Sequence, residues 1–206
     1  MHKLGGNLRA SSEQVPARHA LRMLQASAKS LVYFPAMQRV TVIASPEQQK
    51  AERDLQQSEV TLLGVGDLKI GMTLEEAATA LGLSLVPIGR NLSGECAYYQ
   101  PDTQAQTLGL MVVDGRVIRV DVWQGSTLAT VSGVAIGASE KDVLATYPDQ
   151  IEVTPNLYTQ GKFLTLVPDD VELSLYRLVF ETDAQGKVVQ YRTGQFPAVT
   201  WPDGCI

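Results

Sequence analysis

Two pairs of adjacent acidic residues are the first candidates for chemistry in this sequence. Glu75-Glu76 and Asp169-Asp170 supply carboxylates, and glycoside hydrolysis requires two opposed carboxylates. However, Glu75 and Glu76 fall in the first turn of a predicted helix, where acids favour the helix dipole. Asp169 and Asp170 follow Pro168 in a predicted turn. Neighbouring carboxylates in a helix or turn point apart, so a hydrolase that uses carboxylates alone is the least favoured function.

The histidines and cysteines restrict the chemistry further. His2 and His19 both lie in the first 45 residues, so the rest of the chain has no imidazole for a nucleophile system or for zinc. Cys96 and Cys205 are too few for a four-thiolate metal site. The sequence has no phosphate loop, nucleophile elbow, dinucleotide fingerprint or calcium loop. We therefore expect a protein that is not an enzyme and has no metal or cofactor.

Charge is distributed unevenly along the 206 residues, whose net charge is −5. Residues 1–45 contain six Lys or Arg and one acid, so they carry +5 and the remaining residues carry −10. An acidic body repels phosphate backbones, so we do not expect it to bind nucleic acid. No run of about 18 apolar residues is present, so no integral membrane segment is predicted.

The strand predicted after Gly115 carries the main candidate for a binding surface. Residues of a strand alternate between the two faces of its sheet. The core face would hold Ile118, Val120 and Val122, and the other face would hold Val117, Arg119, Asp121 and Trp123. Arg and Trp favour interface hot spots, so the second face could bind a protein partner. The alternative is an Arg119–Asp121 ion pair on a solvated or half-covered face.

Aromatic residues elsewhere could extend this surface. The candidates are Tyr98, Tyr99, Tyr158 and Trp201. Tyr98, Tyr99 and Trp201 could instead stack on a small ligand or a glycan, although such residues more often pack against helix ends or each other. The residues alone therefore leave two functions open: a module that binds a protein partner, or a small-ligand or glycan-binding module.

A segment that is repeated within the sequence predicts the elements that position these residues. The segment LKIGMTLEEAATALG at 68–82 is repeated in outline by VAIGASEKDVLATYP at 134–148, an offset of 66 residues. Each copy predicts a helix with a capping box at its start, an apolar face and a terminating residue. The capping pairs are Thr73 with Glu76 and Ser139 with Asp142, and the terminating residues are Gly82 and Pro148. The apolar faces are Ala77, Ala78 and Leu81 in one helix and Val143, Leu144 and Tyr147 in the other.

A β-hairpin is predicted after each helix. The segment 108–123 turns at Asp114-Gly115, a strong type I′ signal, and the segment 173–193 turns at 183–186. Each helix is also followed by one further apolar segment, which adds a strand to the hairpin. Each of the two units is therefore a helix followed by about three antiparallel strands, which predicts the α+β class. The predicted bounds are 58–206 for the domain, 60–130 for repeat one, 131–195 for repeat two and 196–206 for a C-terminal tail.

Residues 1–57 are predicted to form a poorly structured basic extension and linker. Ser45 and Pro46 could open a short polar helix, but that helix has almost no apolar stripe, which favours an exposed linker. Residues 31–37 are apolar after a basic start, as in a secretory signal, but Pro35 interrupts them. A divergent export signal and an upstream stretch added by a misplaced start codon both remain open.

The helix start Ile-Gly-Met-Thr-x-x-Glu, repeated once and followed by hairpins, resembles the tandem-repeat fold of the β-lactamase inhibitor proteins. The same half-unit resembles the small lipoprotein of the outer-membrane β-barrel assembly machinery. Three segments are similar to motifs of uncharacterised bacterial proteins: ECAYY at 95–99, MVVDGRVIRVDVW at 111–123 and WPDGC at 201–205. The likeness covers about residues 60–206 and implies two α+β repeats in an envelope or secreted protein.

The resemblance also bears on the cysteines and the compartment. The inhibitor proteins typically carry a disulfide within each repeat, whereas Cys96 lies in repeat one and Cys205 in the tail, so lactamase inhibition is not implied. We expect a Cys96–Cys205 disulfide, because both residues adjoin turn segments and the relatives are envelope proteins. Two separate buried thiols are the alternative. A periplasmic or secreted protein with a partner in the envelope is expected, and otherwise a cytoplasmic one.

Overall fold

The computed structural model describes residues 44–93 and 95–205, apart from the side chains of residues 90–93. Within this part of the chain, three α-helices and two β-sheets confirm the α+β class. The helices are α1 (Pro46–Gln56), α2 (Leu74–Leu81) and α3 (Glu140–Thr146). None of these helices is long and apolar enough to span a bilayer.

The larger sheet has eight antiparallel strands in the order β4-β5-β6-β7-β12-β11-β10-β9. Its strands are β4 (Leu85–Ser93), β5 (Cys96–Pro101), β6 (Leu108–Val113), β7 (Arg116–Val122), β9 (Ile151–Asn156), β10 (Gly161–Leu166), β11 (Tyr176–Thr182) and β12 (Val188–Gln195). Four strands of this sheet therefore follow each of α2 and α3, instead of about three expected. The first four strands run from the edge at β4 to the centre at β7. The last four run from the opposite edge at β9 to the centre at β12, where β12 pairs with β7.

The smaller sheet has the order β3-β2-β1-β8. Its strands are β1 (Glu59–Thr61), β2 (Gly64–Val65), β3 (Leu68–Lys69) and β8 (Ala129–Thr130). Val60, Val65 and Leu68 are buried in the same hydrophobic core as Leu110 and Val120 of the larger sheet. The small sheet and the buried helix faces therefore pack against one side of the large sheet, here called the near face.

Both predicted capping boxes are present. Thr73 N donates to Glu76 Oε2 at 2.8 Å, and Ser139 N donates to Asp142 Oδ2 at 3.0 Å, while the reverse bonds also form. These bonds satisfy amides that have no partner within the helix. Gly82 ends α2 in the left-handed conformation, as expected for a glycine C-cap.

The predicted helix faces need one correction, in α3. Val143 and Tyr147 are buried, as are Ala77 and Leu81 in α2, but Leu144 is 39% exposed. The buried face of α3 is therefore narrower than the sequence predicted.

A β-bulge in β7 corrects the predicted alternation of this strand. Val112 pairs with Val117 and Met111 pairs with Arg119, so Ile118 has no direct partner on β6. Val117 therefore joins the core together with Val120 and Val122, whereas Ile118 does not. The register from Arg119 onward agrees with the prediction.

The helix predicted after Ser45 is confirmed as α1. Ser45 Oγ accepts from Gln48 N at 3.1 Å, and Pro46 occupies the first turn. Ala51 and Leu55 pack against the core, so this helix is not the free linker that its weak apolar stripe favoured.

Candidate functional site

The face of the large sheet opposite the core, here called the far face, carries most of the predicted binding residues. It is crossed by residues 196–205, here called the C-terminal segment, which includes a 3-10 turn at Ala198–Thr200. Cys96 and Cys205 form a disulfide with a Cα–Cα distance of 5.6 Å, which confirms the expected pairing. The bond fastens the end of the segment to β5.

Arg119 and Asp121 form an ion pair that the C-terminal segment covers. The guanidinium of Arg119 contacts Asp121 Oδ1 at 2.6 Å through Nη2, and the two residues are only 3% and 4% exposed. Arg119 Nη1 also donates to the carbonyl oxygens of Ala198 at 3.3 Å and Trp201 at 2.5 Å. The pair anticipated on a solvated or half-covered face is therefore fully buried, and this chain itself occupies that part of the predicted surface.

Tyr98 completes this buried cluster. Its hydroxyl donates to Asp121 Oδ2 at 3.2 Å, and a Cβ added to Gly204 would lie 2.4 Å from the same hydroxyl. Burial, followed by the nearby Asp121 carboxylate, raises the pKa of Tyr98 well above its ordinary value. Tyr98 is therefore a neutral donor that ties the segment to the ion pair.

The other predicted aromatic residues do not gather into one patch. Tyr99 packs against the core on the near face. Trp123 lies against Gly109, where an added Cβ would meet its indole at 2.3 Å. Tyr158 is 72% exposed, beyond β9, and Trp201 is 43% exposed, on the C-terminal segment.

A second buried ion pair lies in the other half of the far face and was missed by sequence reasoning. Arg192 on β12 pairs with Glu181 on β11, and its Nε donates to the carbonyl of Val199 at 2.5 Å. Arg192 is 2% exposed, and burial, followed by the charge of Arg119, lowers its pKa. The sequence had one signal for this pair. Residues of the strand after Gly186 alternate between faces, which places Arg192 on the face opposite to Tyr191.

Next to this pair, the far face has an open groove of about 420 Å³. Its floor and walls are formed by strands β9 to β12, and the C-terminal segment borders it. It is lined by Glu152, Thr154, Phe163, Thr165, Arg177, Val179, Arg192, Phe196 and Thr200. The guanidinium carbons of Arg177 and Arg192 lie 5.5 Å and 5.6 Å from the ring centres of Phe196 and Phe163. Cationic and aromatic side chains thus converge on the uncovered part of the far face.

The acidic pairs have local structural roles. Glu76 caps α2, while Glu75 is exposed beside it. Asp170 Oδ1 accepts from Glu172 N at 2.8 Å, and Asp169 Oδ2 accepts from the side chain of Gln150 at 2.5 Å. Neither pair lines the groove.

No protein-family model and no curated protein matches this chain. A crystal structure of the uncharacterised protein yfeY from Escherichia coli has a TM-score of 0.46 and 15% identity, covering 66% of this chain and 99% of that one. A crystal structure of a DUF4309 family protein, YjgB, from Bacillus subtilis has a TM-score of 0.38 and 10% identity, covering 70% and 92%. Neither name states a ligand or an activity.

Proposed function

We propose that this protein is a non-enzymatic binding protein that holds a protein partner on the far face, in the open groove and along the adjoining C-terminal segment. One observation carries the proposal: the far face already binds a polypeptide. Arg119 and Arg192 donate to main-chain carbonyls of Ala198, Trp201 and Val199. A surface that captures the main chain of its own C-terminal segment has the chemistry to capture another.

The side chains around the groove support a protein partner. Phe196 and Trp201 are 55% and 43% exposed, and Arg177 stacks on Phe196. Exposed aromatic residues beside arginine are typical of interface hot spots. The groove extends this aromatic rim into a concave surface, as expected for an anchor site.

We further infer that the two halves of the body are tandem repeats, in line with the resemblance to the inhibitor proteins. Both halves begin with a capped helix, continue with a four-stranded meander and end at the centre of the sheet. A periplasmic or secreted location is supported by the Cys96–Cys205 disulfide, because disulfides persist in oxidising compartments.

Site-specific crosslinking tests the protein-partner proposal. A photo-reactive phenylalanine analogue at position 196 should capture a specific protein from an envelope fraction, to be identified by mass spectrometry and then purified. Phe196→Ala should weaken binding of the purified partner by about 2 kcal/mol, as for a hot spot. Val131→Ala is the matched control, because Val131 is 57% exposed but does not line the groove. Equal binding by the two variants would contradict the proposal.

A small-ligand or glycan-binding module is the second candidate, and the groove volume favours it. About 420 Å³ falls in the range of about 300–1,000 Å³ typical of small-molecule sites. A ligand bound there should raise the melting temperature by mass action in a screen of sugars and metabolites. The same ligand should leave the melting temperature of a Phe163→Ala variant unchanged.

A further inference from the structure

Arg192 has a hydrogen-bonding nitrogen that the described part of the chain does not satisfy. Its Nε donates to Val199 and its Nη1 to Glu181, but Nη2 is buried without an acceptor among the described residues. Buried donors in native proteins almost always have partners, because a lost hydrogen bond to water is not replaced otherwise. A residue that lines a groove and has one unused donor is a natural place for an acceptor from outside.

Arg177 adds a second guanidinium to the same groove. Its Nη1 donates to the carbonyl oxygens of Ser174 and Tyr176, both at 2.7 Å, which fix the side chain against Phe196. No carboxylate of the described residues forms an ion pair with it. Its charge is therefore available to a bound group, whereas that of Arg192 is shared with Glu181.

The floor of the groove is one straight row of residues across four strands. Arg192 pairs with Val179, Val179 with Thr165, and Thr165 with Glu152. Neighbouring strands lie about 4.8 Å apart, so the row is about 14 Å long. It has a cation at one end, a carboxylate at the other, and an apolar and a hydroxyl side chain between them.

We propose that this groove binds an extended peptide of about four residues whose carboxylate lies at the arginine end. This inference rests on the proposed function, since it specifies the chemistry of the protein partner. The carboxylate accepts a hydrogen bond from Arg177, and it accepts one from the buried Nη2 of Arg192 when the side chains that cover this atom move aside. Glu152 disfavours a second negative charge at the far end and favours a basic residue there. Apolar side chains of the peptide pack against Phe163 and Phe196.

The two charges at the ends of the row orient the peptide, with its carboxylate toward Arg192 and a basic residue toward Glu152. Because the described body lies in the acidic part of the chain, long-range attraction does not bring an acidic partner to the groove. Recognition depends instead on short-range, charge-assisted hydrogen bonds. The carboxylate could come from a Glu or Asp side chain or from a chain terminus.

Short synthetic peptides test the inference on the full chain. The first probe is the acetylated, amidated tetrapeptide Glu-Phe-Ala-Lys, compared with Gln-Phe-Ala-Lys, by NMR titration that follows the Nε–Hε signals of the arginines. We expect the Glu peptide to bind about tenfold more tightly, because the amide oxygen of Gln accepts only a neutral hydrogen bond in place of the charge-assisted one. Versions of the Gln peptide with a free C-terminus distinguish a terminal carboxylate from a side-chain one.

Two variants and one control locate the effect. Arg177→Gln should abolish the preference for Glu over Gln, whereas Arg53→Gln, on the exposed face of α1, should retain it. Glu152→Gln should improve binding of a Glu-Phe-Ala-Glu peptide relative to the wild-type protein. Glu152 is exposed on the edge strand, so this variant tests the groove without disturbing the core.

The outcomes separate this inference from the proposed function. Equal binding of all Glu and Gln peptides, or an unchanged preference in Arg177→Gln, would overturn the carboxylate inference while capture of a partner through Phe196 still supported the proposed function. Loss of partner capture together with a retained peptide preference would overturn the proposed function alone.

Discussion

Two loop glycines occupy equivalent places in the two halves of the large sheet. Gly71 N donates to Val117 O at 2.7 Å before α2, and Gly137 N donates to Val188 O at 2.8 Å before α3. Their φ angles are +97° and +91°. The same main-chain contact thus connects each helix start to the central strand of its own half.

The far faces of the two halves differ, although both halves have a helix followed by four strands of the large sheet. If Val117 is matched to Val188, Asp121 is matched to Arg192, and these two residues pair directly across the β7–β12 junction. A carboxylate in one half thus faces a guanidinium at the equivalent position of the other. The first half is covered by the C-terminal segment, and the second half keeps the groove open. We expect function to depend on these faces, because they differ while the order of elements in the two halves is the same.

The largest effect should come from removing the bond that keeps the first half covered. Replacing Cys96 and Cys205 with Ala opens a link between residues 109 positions apart. In the chain-entropy model this lowers the free energy of unfolding by about 4–5 kcal/mol, which denaturant titration can measure. A reducing agent should reproduce the loss in the wild-type protein and have no effect on the variant. Equal stability of the wild-type protein and the variant would indicate that the C-terminal segment stays on the first half without the disulfide.

The buried ion pairs should give the next largest effect. Asp121→Ala in the first half and Glu181→Ala in the second should each cost about 3–5 kcal/mol in unfolding free energy, because a buried guanidinium loses its carboxylate. The loss should be greater for Asp121→Ala, since Tyr98 also loses its acceptor and Arg119 holds two carbonyls of the C-terminal segment, whereas Arg192 holds one. Adding Arg192→Met to the Glu181 variant should recover part of the stability. A double variant no more stable than the single one would contradict this account.

Substitution of the loop glycines should affect the two halves equally. An added Cβ at Gly71 or Gly137 meets no atom within 4 Å, so only the positive φ opposes Ala. Each variant should lose about 1–2 kcal/mol of unfolding free energy by thermal or denaturant unfolding. A loss at one position without a loss at the other would contradict the proposed tandem repeat.

The smallest effect should be a pH dependence that differs between the two helix caps. The backbone bond from Thr73 lowers the pKa of Glu76, and the side-chain bond from Ser139 lowers the pKa of Asp142. A carboxyl whose pKa is lower in the folded state stabilises that state at pH values above its ordinary pKa. This stabilisation is lost as the pH falls through the pKa of the folded state. Since the ordinary pKa values are 4.5 and 3.8, the cap of α2 should begin to weaken at a higher pH than that of α3.

Melting temperatures measured between about pH 6 and pH 3 check this order. Glu76→Gln should flatten the upper part of the acid limb, and Asp142→Asn should flatten the lower part. Identical curves for the wild-type protein and both variants would mean that other carboxylates control the acid limb.

The parts of this fold that could be predicted are those specified by neighbours in sequence. Thr73 with Glu76 specifies a helix start within four residues, and Asp114-Gly115 specifies a turn, with φ angles of +49° and +75°. Both signals act through adjacent backbone, so no knowledge of the rest of the chain was needed. The fourth strand of each half carried no such signal.

The site was harder to predict, because its partners are distant in sequence. Alternation correctly placed Arg119 and Asp121 together on one face, but nothing local indicated that Ala198 and Trp201 would cover them. The Arg192–Glu181 pair depends on the registry of β11 with β12. The bulge at Ile118 moves this residue off the core face. Since β7 contains no Gly or Pro, nothing in its sequence indicates the bulge.

The order of the strands along the chain has a consequence for protein synthesis. β7 ends at Val122, whereas its partner β12 begins at Val188 and the C-terminal segment follows it. Whether the chain emerges from a ribosome at about 5–20 residues per second or from an export channel, β7 is an unpaired edge until β12 has followed it. During that interval Tyr98, Arg119 and Asp121 have no cover. We therefore expect the nascent first half to require protection by a chaperone, and a chain halted after the first half to aggregate through β7.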